Sequence, residues 1–443
     1  MEFIIIERKS DMITRKALAV KRLIDKNKRV IIHGLPGLGK TAVALKMTKM
    51  FKVCVHFDCS VDYPYFNDIY KAYEKGFQSF VDLMVTYSEV NPFFEKSYLF
   101  VFDNIDCSDF FREKIYPIFK KHDLNLLMTM RSKNKSLNDI INDSVVYTLY
   151  PISYKEFFDK CDGGLPEDII TGHISMGKEV PQIIHDNCNR ILEDYVALGG
   201  LPEAVNAFFT SDSVEEEIKF IHEKYRFYTL EKLMENADID ETCKYKCRQI
   251  CDSMLEQMLE EDYNKFIFTR IREGITYKKY EDAIQFLVDN HYLIKVDDLT
   301  RKNCFKLFFY DCGILLELLL QRSNKRELNK DFKNLSQIIY QNFLVQELAT
   351  SGYTPRYWKS AYTAVVDAII DTVNGPIAFK IFSDDDLRDK SLDEYHKIAP
   401  EASLFKLSQE NLLKNKKYFN LPFYAISCVE LKKFQNLFLN VVD

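Results

Sequence analysis

Apolar and polar positions alternate in blocks along the first 150 residues, and the blocks predict strands and helices in turn. Residues 29–34, Arg-Val-Ile-Ile-His-Gly, form a short apolar stretch that reads as a strand. A glycine-rich turn follows, then a helical pattern from Lys40 to about Met50. Val53 to Phe57 is a second strand. Tyr98 to Phe102 is a continuous apolar run ending in Asp103, as expected of a strand buried on both faces. Leu124 to Met128 repeats that pattern, and Val145 to Leu149 is a fifth candidate. Strands alternating with helical stretches predict an α/β domain with a parallel sheet over residues 1–150.

After Pro151 the pattern becomes helical. Phe157, Ile191, Leu192, Val196, Phe208 and Ile221 mark apolar helix faces in residues 151–248. Residues 249–330 end in the order helix, helix, two strands around a polar turn at Asp297 to Asn303, the order of a winged helix. Residues 331–443 predict a long helix (Leu335 to Leu348), strands at 362–371 and 376–382, then helix, strand and a final helix, a second α/β unit. No internal repeat or low-complexity segment is present.

Composition agrees with several ordinary cores. The 443 residues suggest about two to four domains. Hydrophobic residues make up 47% and charged residues 28%, so packed domains rather than disorder are expected. The net charge of -6 advertises no bulk affinity for nucleic acid, although 60 Lys and Arg permit a local basic face. The apolar run Phe3 to Ile6 is too short for a signal-peptide core. Ile314 to Leu320, interrupted by Glu317, is far below the roughly 18 residues of a membrane span. With 11 scattered Cys, a cytoplasmic protein with reduced thiols and no membrane partner is expected.

The chemistry concentrates between the first strand and the first helix. Gly34-Leu35-Pro36-Gly37-Leu38-Gly39-Lys40-Thr41, followed by Ala42, fits G-x-x-x-x-G-K-[ST] at every fixed position. Glycines let backbone N–H groups turn inward around phosphates, and the following helix points its positive end at the anion. Lys40 would reach the β- and γ-phosphates, and Thr41 would bind Mg²⁺. Asp103, at the carboxyl end of a buried strand, is the expected second metal ligand. These residues predict binding of ATP or ADP with Mg²⁺. Asn104 occupies a position where Glu would polarise the attacking water, and Asn cannot take a proton. Tight binding with slow hydrolysis is the expected result, with Asp106, Asp58 and Glu95 as substitute carboxylates that sequence alone does not place. Thr129 would sense the γ-phosphate from the neighbouring strand. Arg131 would act as an arginine finger in cis or in trans, which permits an oligomer without requiring one.

The P-loop, Asp103, Tyr150-Pro-Ile-Ser-Tyr-Lys-Glu-Phe157 and Ala197-Leu-Gly-Gly-Leu-Pro-Glu-Ala204 occur in this order. Together they resemble a family of prokaryotic AAA+/STAND-like predicted ATPases. The resemblance implies a P-loop domain, a helical lid, a winged-helix segment and a C-terminal restriction-endonuclease-like domain of the PD-(D/E)xK type. It also implies that Pro202, in Gly200-Leu-Pro202, touches the nucleotide and reports its state. The nuclease signature would fall on Glu347, Asp367 and Ala378-Phe379-Lys380, where Ala378 stands in place of the expected Glu. Metal-dependent cleavage needs convergent carboxylates, so a retained fold without cleavage is expected.

Two other patterns add less. Cys243, Cys247 and Cys251 share one helix face and extend into Met254, Leu255 and Met258, which reads as core. In the winged-helix segment, Lys278 and Lys279 open the second helix, and Arg270, Arg272, Arg301 and Lys302 could meet a DNA backbone. Glu281 and Asp282 beside the lysines oppose that contact. A nucleotide-controlled switch is the favoured reading. A nucleic-acid-acting enzyme is the alternative, and a scaffold for a protein partner is a third.

Overall fold

The computed structural model describes residues 12–89, 91, 93–95, 97–162, 164, 166–260, 263–322, 328–373, 375–381, 390–414 and 418–428. The Phe3 to Ile6 run lies outside them. The chain divides into two compact units. The first holds the residues up to Tyr150 together with Phe227–Asp240, and the second holds Pro151–Arg226 and Glu241 onward.

In the first unit, five strands form one sheet in the order β2-β3-β4-β1-β5. They are β1 (Arg29–His33), β2 (Val53–Asp58), β3 (Tyr98–Asp103), β4 (Leu126–Met130) and β5 (Val145–Thr148). Every pairing is parallel, as the alternating pattern predicted. Parallel strands are covered on both faces, which is why β3 and β4 are apolar almost throughout. Phe102 of β3 shows the packing. Its ring stacks on Phe57 of β2 at 5.4 Å and meets Phe111 at 4.7 Å and Phe119 at 5.1 Å. Burying each such ring contributes about 1.5–3 kcal/mol.

β4 begins two residues later than the apolar run suggested. Asp123 adopts a left-handed conformation (φ 49°), and the Leu124 amide donates to Phe119 O, closing the preceding helix. The strand therefore starts at Leu126, and Thr129 lies within it, opposite Ile32 of β1. The helix after the glycine-rich loop is also shorter than read, Lys40–Met47, because residues 48–50 form a turn.

The second unit combines helices with an eight-stranded sheet ordered β12-β13-β11-β10-β9-β8-β6-β7. The strands are β6 (Leu293–Asp298), β7 (Phe305–Phe309), β8 (Arg356–Lys359), β9 (Val365–Thr372), β10 (Gly375–Ile381), β11 (Ser403–Ser408), β12 (Leu413–Lys414) and β13 (Phe419–Pro422). The hairpin β6–β7 follows two helices, in the order read from sequence. It does not form a sheet of its own, because Asp297 and Asp298 of β6 pair in parallel with Arg356 and Tyr357 of β8. The strand read at 362–371 is a hairpin half. Ser360 Oγ accepts from the amides of Tyr362 and Ala364, which makes 360–364 a turn between β8 and β9. The long helix spans Leu328–Thr350. The final helix is described only as Ala425–Cys428.

Glu347 of the long helix is buried and bonded within this unit. It accepts from Tyr154 N at 3.3 Å and from Ser427 Oγ at 2.6 Å. Burial pushes its carboxyl up to about 7, from an ordinary 4.5. The folded chain therefore holds a proton that the unfolded chain has released between these two pH values. Stability contributed by the neutral acid is present below about pH 4.5 and is lost as pH rises to about 7. The loss should approach roughly 3 kcal/mol at pH 8. Glu347→Gln removes the charge, keeps an amide oxygen for Tyr154 N and presents an NH₂ group that the Ser427 hydroxyl can accept from. Thermal unfolding of this variant should match the native chain near pH 4.5 and occur at higher temperature near pH 8. Equal midpoints at both pH values would contradict the assignment.

Candidate nucleotide site

β1 delivers the chain into a loop that the sequence could fold in few other ways. Gly37 and Gly39 have φ of 87° and 85°, in the left-handed region that a side chain disfavours. Gly34 is constrained differently. A Cβ there would lie 2.6 Å from Leu149 O, so the constraint is space. Leu35, Pro36 and Leu38 are buried and pin the loop against the unit's interior, while the backbone between them stays at the surface. Gly39 then leads into the Lys40–Met47 helix, whose first-turn amides have no partners within a helix. Those amides and the helix dipole favour an anion at this edge of the sheet.

Lys40 is buried, and its Nζ donates to Gly34 O at 2.7 Å and Leu35 O at 3.0 Å. Burial pushes its ammonium down to about 8, with Asp106 opposing, Arg131 assisting and Asp103 opposing. Thr41, the next residue, donates from Oγ1 to Asp103 Oδ2 at 2.6 Å. The Thr129 hydroxyl donates to the other oxygen of Asp103 and accepts from Asn104 N at 2.9 Å. The single proton of Thr129 is thus directed at Asp103, which it orients.

Asn104 adopts φ 58° and ψ 48°, a conformation Asn tolerates better than most residues. Its Nδ2 donates to Asp58 Oδ1 at 3.2 Å. The same Asp58 oxygen accepts from Ser60 N at 2.9 Å and Ser60 Oγ at 2.7 Å. Burial pushes the Asp58 carboxyl up, but these hydrogen bonds outweigh it and hold the group below its ordinary range.

The other polar residues read from sequence are placed as follows. Arg131 is tied to Asp106, Nε to Oδ2 at 3.0 Å and its amide to Oδ1 at 3.1 Å. It also donates to Cys107 Sγ and lies 3.8 Å from Glu235. Glu95 is not at this edge. It pairs with Lys52 at 2.6 Å and accepts from Ser97 N, and both partners immediately precede strands β2 and β3. It therefore sits at the amino ends of the strands, away from the loop, and cannot replace the missing Glu. Ala42 continues the first helical turn. Pro202 belongs to the second unit and begins the helix Pro202–Thr210. The turn before it is held there by Asp311, which accepts from Gly200 N at 2.7 Å.

Sequence reading missed one set of partners. Residues 236–238 follow the end of the Val214–Glu235 helix and belong to the first unit. Asn236 O accepts from Asn134 Nδ2 at 2.6 Å, and Asp238 accepts from Ser136 N at 3.0 Å and Ser136 Oγ at 2.6 Å. No local pattern signals these bonds, which span about a hundred positions of chain.

In the second unit two of the nuclease-like residues, Asp367 and Lys380, meet, and Glu347 does not join them. Asp367 accepts from Lys380 Nζ at 2.9 Å, from Ile381 N at 2.9 Å and from Gln341 Nε2 at 2.8 Å. Gln341, rather than Glu347, is the residue of the long helix that meets Asp367. Glu347 is directed at Tyr154 and Ser427, and Ala378 packs in an apolar cluster with Ile369 and Leu404. Among the described residues no group of three His, Cys, Asp or Glu could hold a metal. Lys278 and Lys279 are exposed, whereas Arg270 pairs with Glu260 and Arg301 with Asp298. Cys247 and Cys251 are buried, Cys247 against Ala283 O. No described helix is long and apolar enough to cross a membrane.

The first unit is an α/β unit with a parallel sheet whose glycine-rich loop and acidic strand end share one edge. Comparison with known proteins gives limited likeness. The family described as "Domain of unknown function (DUF8612)" matches residues 189–326, less than half of the chain. No curated protein matches. Among solved structures, the Walker-type ATPase of Pyrococcus abyssi is similar at 12% identity and a TM-score of 0.39. That alignment covers 69% of this chain and 94% of that one. The RuvB Holliday junction branch migration motor of Thermotoga maritima is similar at 11% identity and a TM-score of 0.26, covering 63% and 87%. The Hsp104–ADP complex of Saccharomyces cerevisiae is similar at 10% identity and a TM-score of 0.27, covering 76% and 41%.

Proposed function

We propose that the chain binds ATP with Mg²⁺ at the 34–41 loop, hydrolyses it slowly and acts as a nucleotide-controlled switch. The observation that carries this reading is the pairing of a loop held by Lys40 through the carbonyls of Gly34 and Leu35 with Asp103, whose two oxygens accept from the Thr41 and Thr129 hydroxyls. Thr41 Oγ1 and Asp103 Oδ2 are hard oxygen donors suited to Mg²⁺, with phosphates and water completing its shell, and the ion would neutralise phosphate charge. A site of that kind needs only one protein carboxylate, so it is compatible with the lack of a three-acid cluster among the described residues.

The protein's own part is positioning. Lys40, which holds two loop carbonyls, would exchange them for the β- and γ-phosphates. The amides of Gly37 to Thr41 would surround the β-phosphate. Thr129 would keep Asp103 oriented. Asn104 cannot accept a proton, so activation of water at this site has to come from another group, and slow turnover is expected.

The switch has a physical route. The Val214–Glu235 helix belongs to the second unit up to Arg226 and to the first from Phe227. Its last residue and the loop after it bond to residues 107, 131, 134 and 136, which follow β3 and β4. A change in the charge facing Arg131 would alter that set of bonds and bias the helix. Hydrogen exchange over residues 227–240 tests this. Slower exchange with a non-hydrolysable ATP analogue than with ADP is expected. Equal exchange in both states, with both nucleotides bound, would remove the switch.

A further inference from the structure

We infer that Asp58, carried on the strand beside β3, supplies the carboxylate that polarises the attacking water, with Asn104 as its positioning residue. The inference rests on the reading of the 34–41 loop as an ATP site and names how that site hydrolyses.

The geometry points to Asp58 by its position and its unshared oxygen. Asp58 ends β2 and Asp103 ends β3, in register on parallel neighbours. Neighbouring strands lie about 4.8 Å apart, and residues in register face the same side. The two carboxylates thus emerge together at the edge that carries the loop. Asp58 is held from three directions at Oδ1, by Ser60 N, Ser60 Oγ and Asn104 Nδ2. Its own amide donates to Asp62 Oδ2 at 2.6 Å, which fixes the turn that follows. Among the described residues no donor meets Oδ2. The side chain is only partly buried, so that oxygen can accept from water.

The other acids at this edge are engaged. Asp103 has both oxygens on threonine hydroxyls, and Asp106 has both on Arg131. A locked carboxylate with one oxygen free is what a water-positioning group requires, because little reorganisation remains at the moment of attack. Asn104 then has a reason for its identity. Its left-handed backbone turns its amide toward the adjacent strand, where it holds the acid instead of being the acid.

The step balances without another reactant. Water oxygen bonds to the γ-phosphorus while one water proton passes to Asp58 Oδ2. The bond from the γ-phosphorus to the β–γ bridging oxygen breaks, and its electron pair leaves on ADP. The proton then returns to phosphate or solvent.

Asp58→Asn preserves size and an acceptor for Ser60 and Asn104. ATP binding measured by calorimetry should stay within about twofold of native, while turnover should fall on the order of 10²-fold. Asn104→Asp in the Asp58→Asn background exchanges the pair and should recover at least about tenfold of the lost rate, since proton acceptance alone contributes on the order of 10²–10⁴. A purely structural role for Asp58 would give no such recovery. Native turnover in Asp58→Asn, with binding intact, overturns the inference and leaves the ATP site standing. Binding without turnover in the native chain overturns the inference and the hydrolytic half of the reading. Absence of binding in the native chain overturns both.

Discussion

Lys40→Ala is expected to lower ATP turnover on the order of 10²–10³-fold and to weaken ATP binding, with little change in thermal stability. The two halves of this expectation have separate causes. Lys40 is the ammonium of the loop, and its loss removes the positive charge nearest the position of the transferring phosphoryl group. Its structural role is close to neutral. Burial of the ammonium is unfavourable, as its downward displacement to about 8 records. Alanine removes that penalty but leaves the carbonyls of Gly34 and Leu35 without the donor they now have. Each effect is about 1–3 kcal/mol, and they oppose one another. A variant that loses turnover together with its fold would place Lys40 in the core instead of the site. Turnover is checked by phosphate release, and folding by thermal denaturation.

Gly199→Ala should have the largest effect on stability, about 3–5 kcal/mol, and act on the second unit. Gly199 has φ 75° and ψ -174°, a region populated almost only by glycine. A Cβ there would lie 2.2 Å from Asp311 Oδ1, an oxygen that accepts from Ile314 N at 3.0 Å. The other oxygen of Asp311 holds Gly200 N. Alanine would therefore strain the backbone and displace a buried carboxylate from two amides together. Thermal unfolding followed by hydrogen exchange should show the protection of the 182–210 helices lost at lower temperature. An unchanged melting profile would mean that the turn relaxes freely and that its two glycines are not required.

The parts of this protein that were legible in sequence are those that are local in sequence. The 34–41 loop occupies eight consecutive positions, and its shape is set by its own glycines and by Lys40 bonding to the carbonyls of Gly34 and Leu35. β1 and β3 announced themselves as apolar runs because they are covered on both faces, while the edge strands β2 and β5, only partly covered, were legible from their valines and aromatic residues. β4 was displaced because Leu124 is apolar, yet its amide closes a helix. The second unit was harder to read, since its pairings are distant. β6 joins β8 across about sixty residues, and β8 carries Arg356 and Lys359 at its ends, which disguised it as loop. Glu347 was the natural helix acid for Asp367, but Gln341 is the residue in contact. Six residues of helix separate them, roughly 240° around the axis, so the two cannot share a face. Within the candidate nucleotide site, residue types were readable and their partners were not. The sequence offered Thr129 and Arg131 as residue types, whereas the bond from Thr129 to Asp103 and the two from Arg131 to Asp106 bridge separate strands and loops and left no local sign. The bonds from residues 236–238 had no signature that a one-dimensional pattern could hold.

The account depends most on ATP entering the 34–41 loop, and isothermal titration of the native chain with Mg²⁺ and ATP tests that directly. A saturable, roughly one-to-one heat that disappears in Lys40→Ala is the predicted result. Silence with ATP, ADP and GTP alike, from folded native protein, would contradict it.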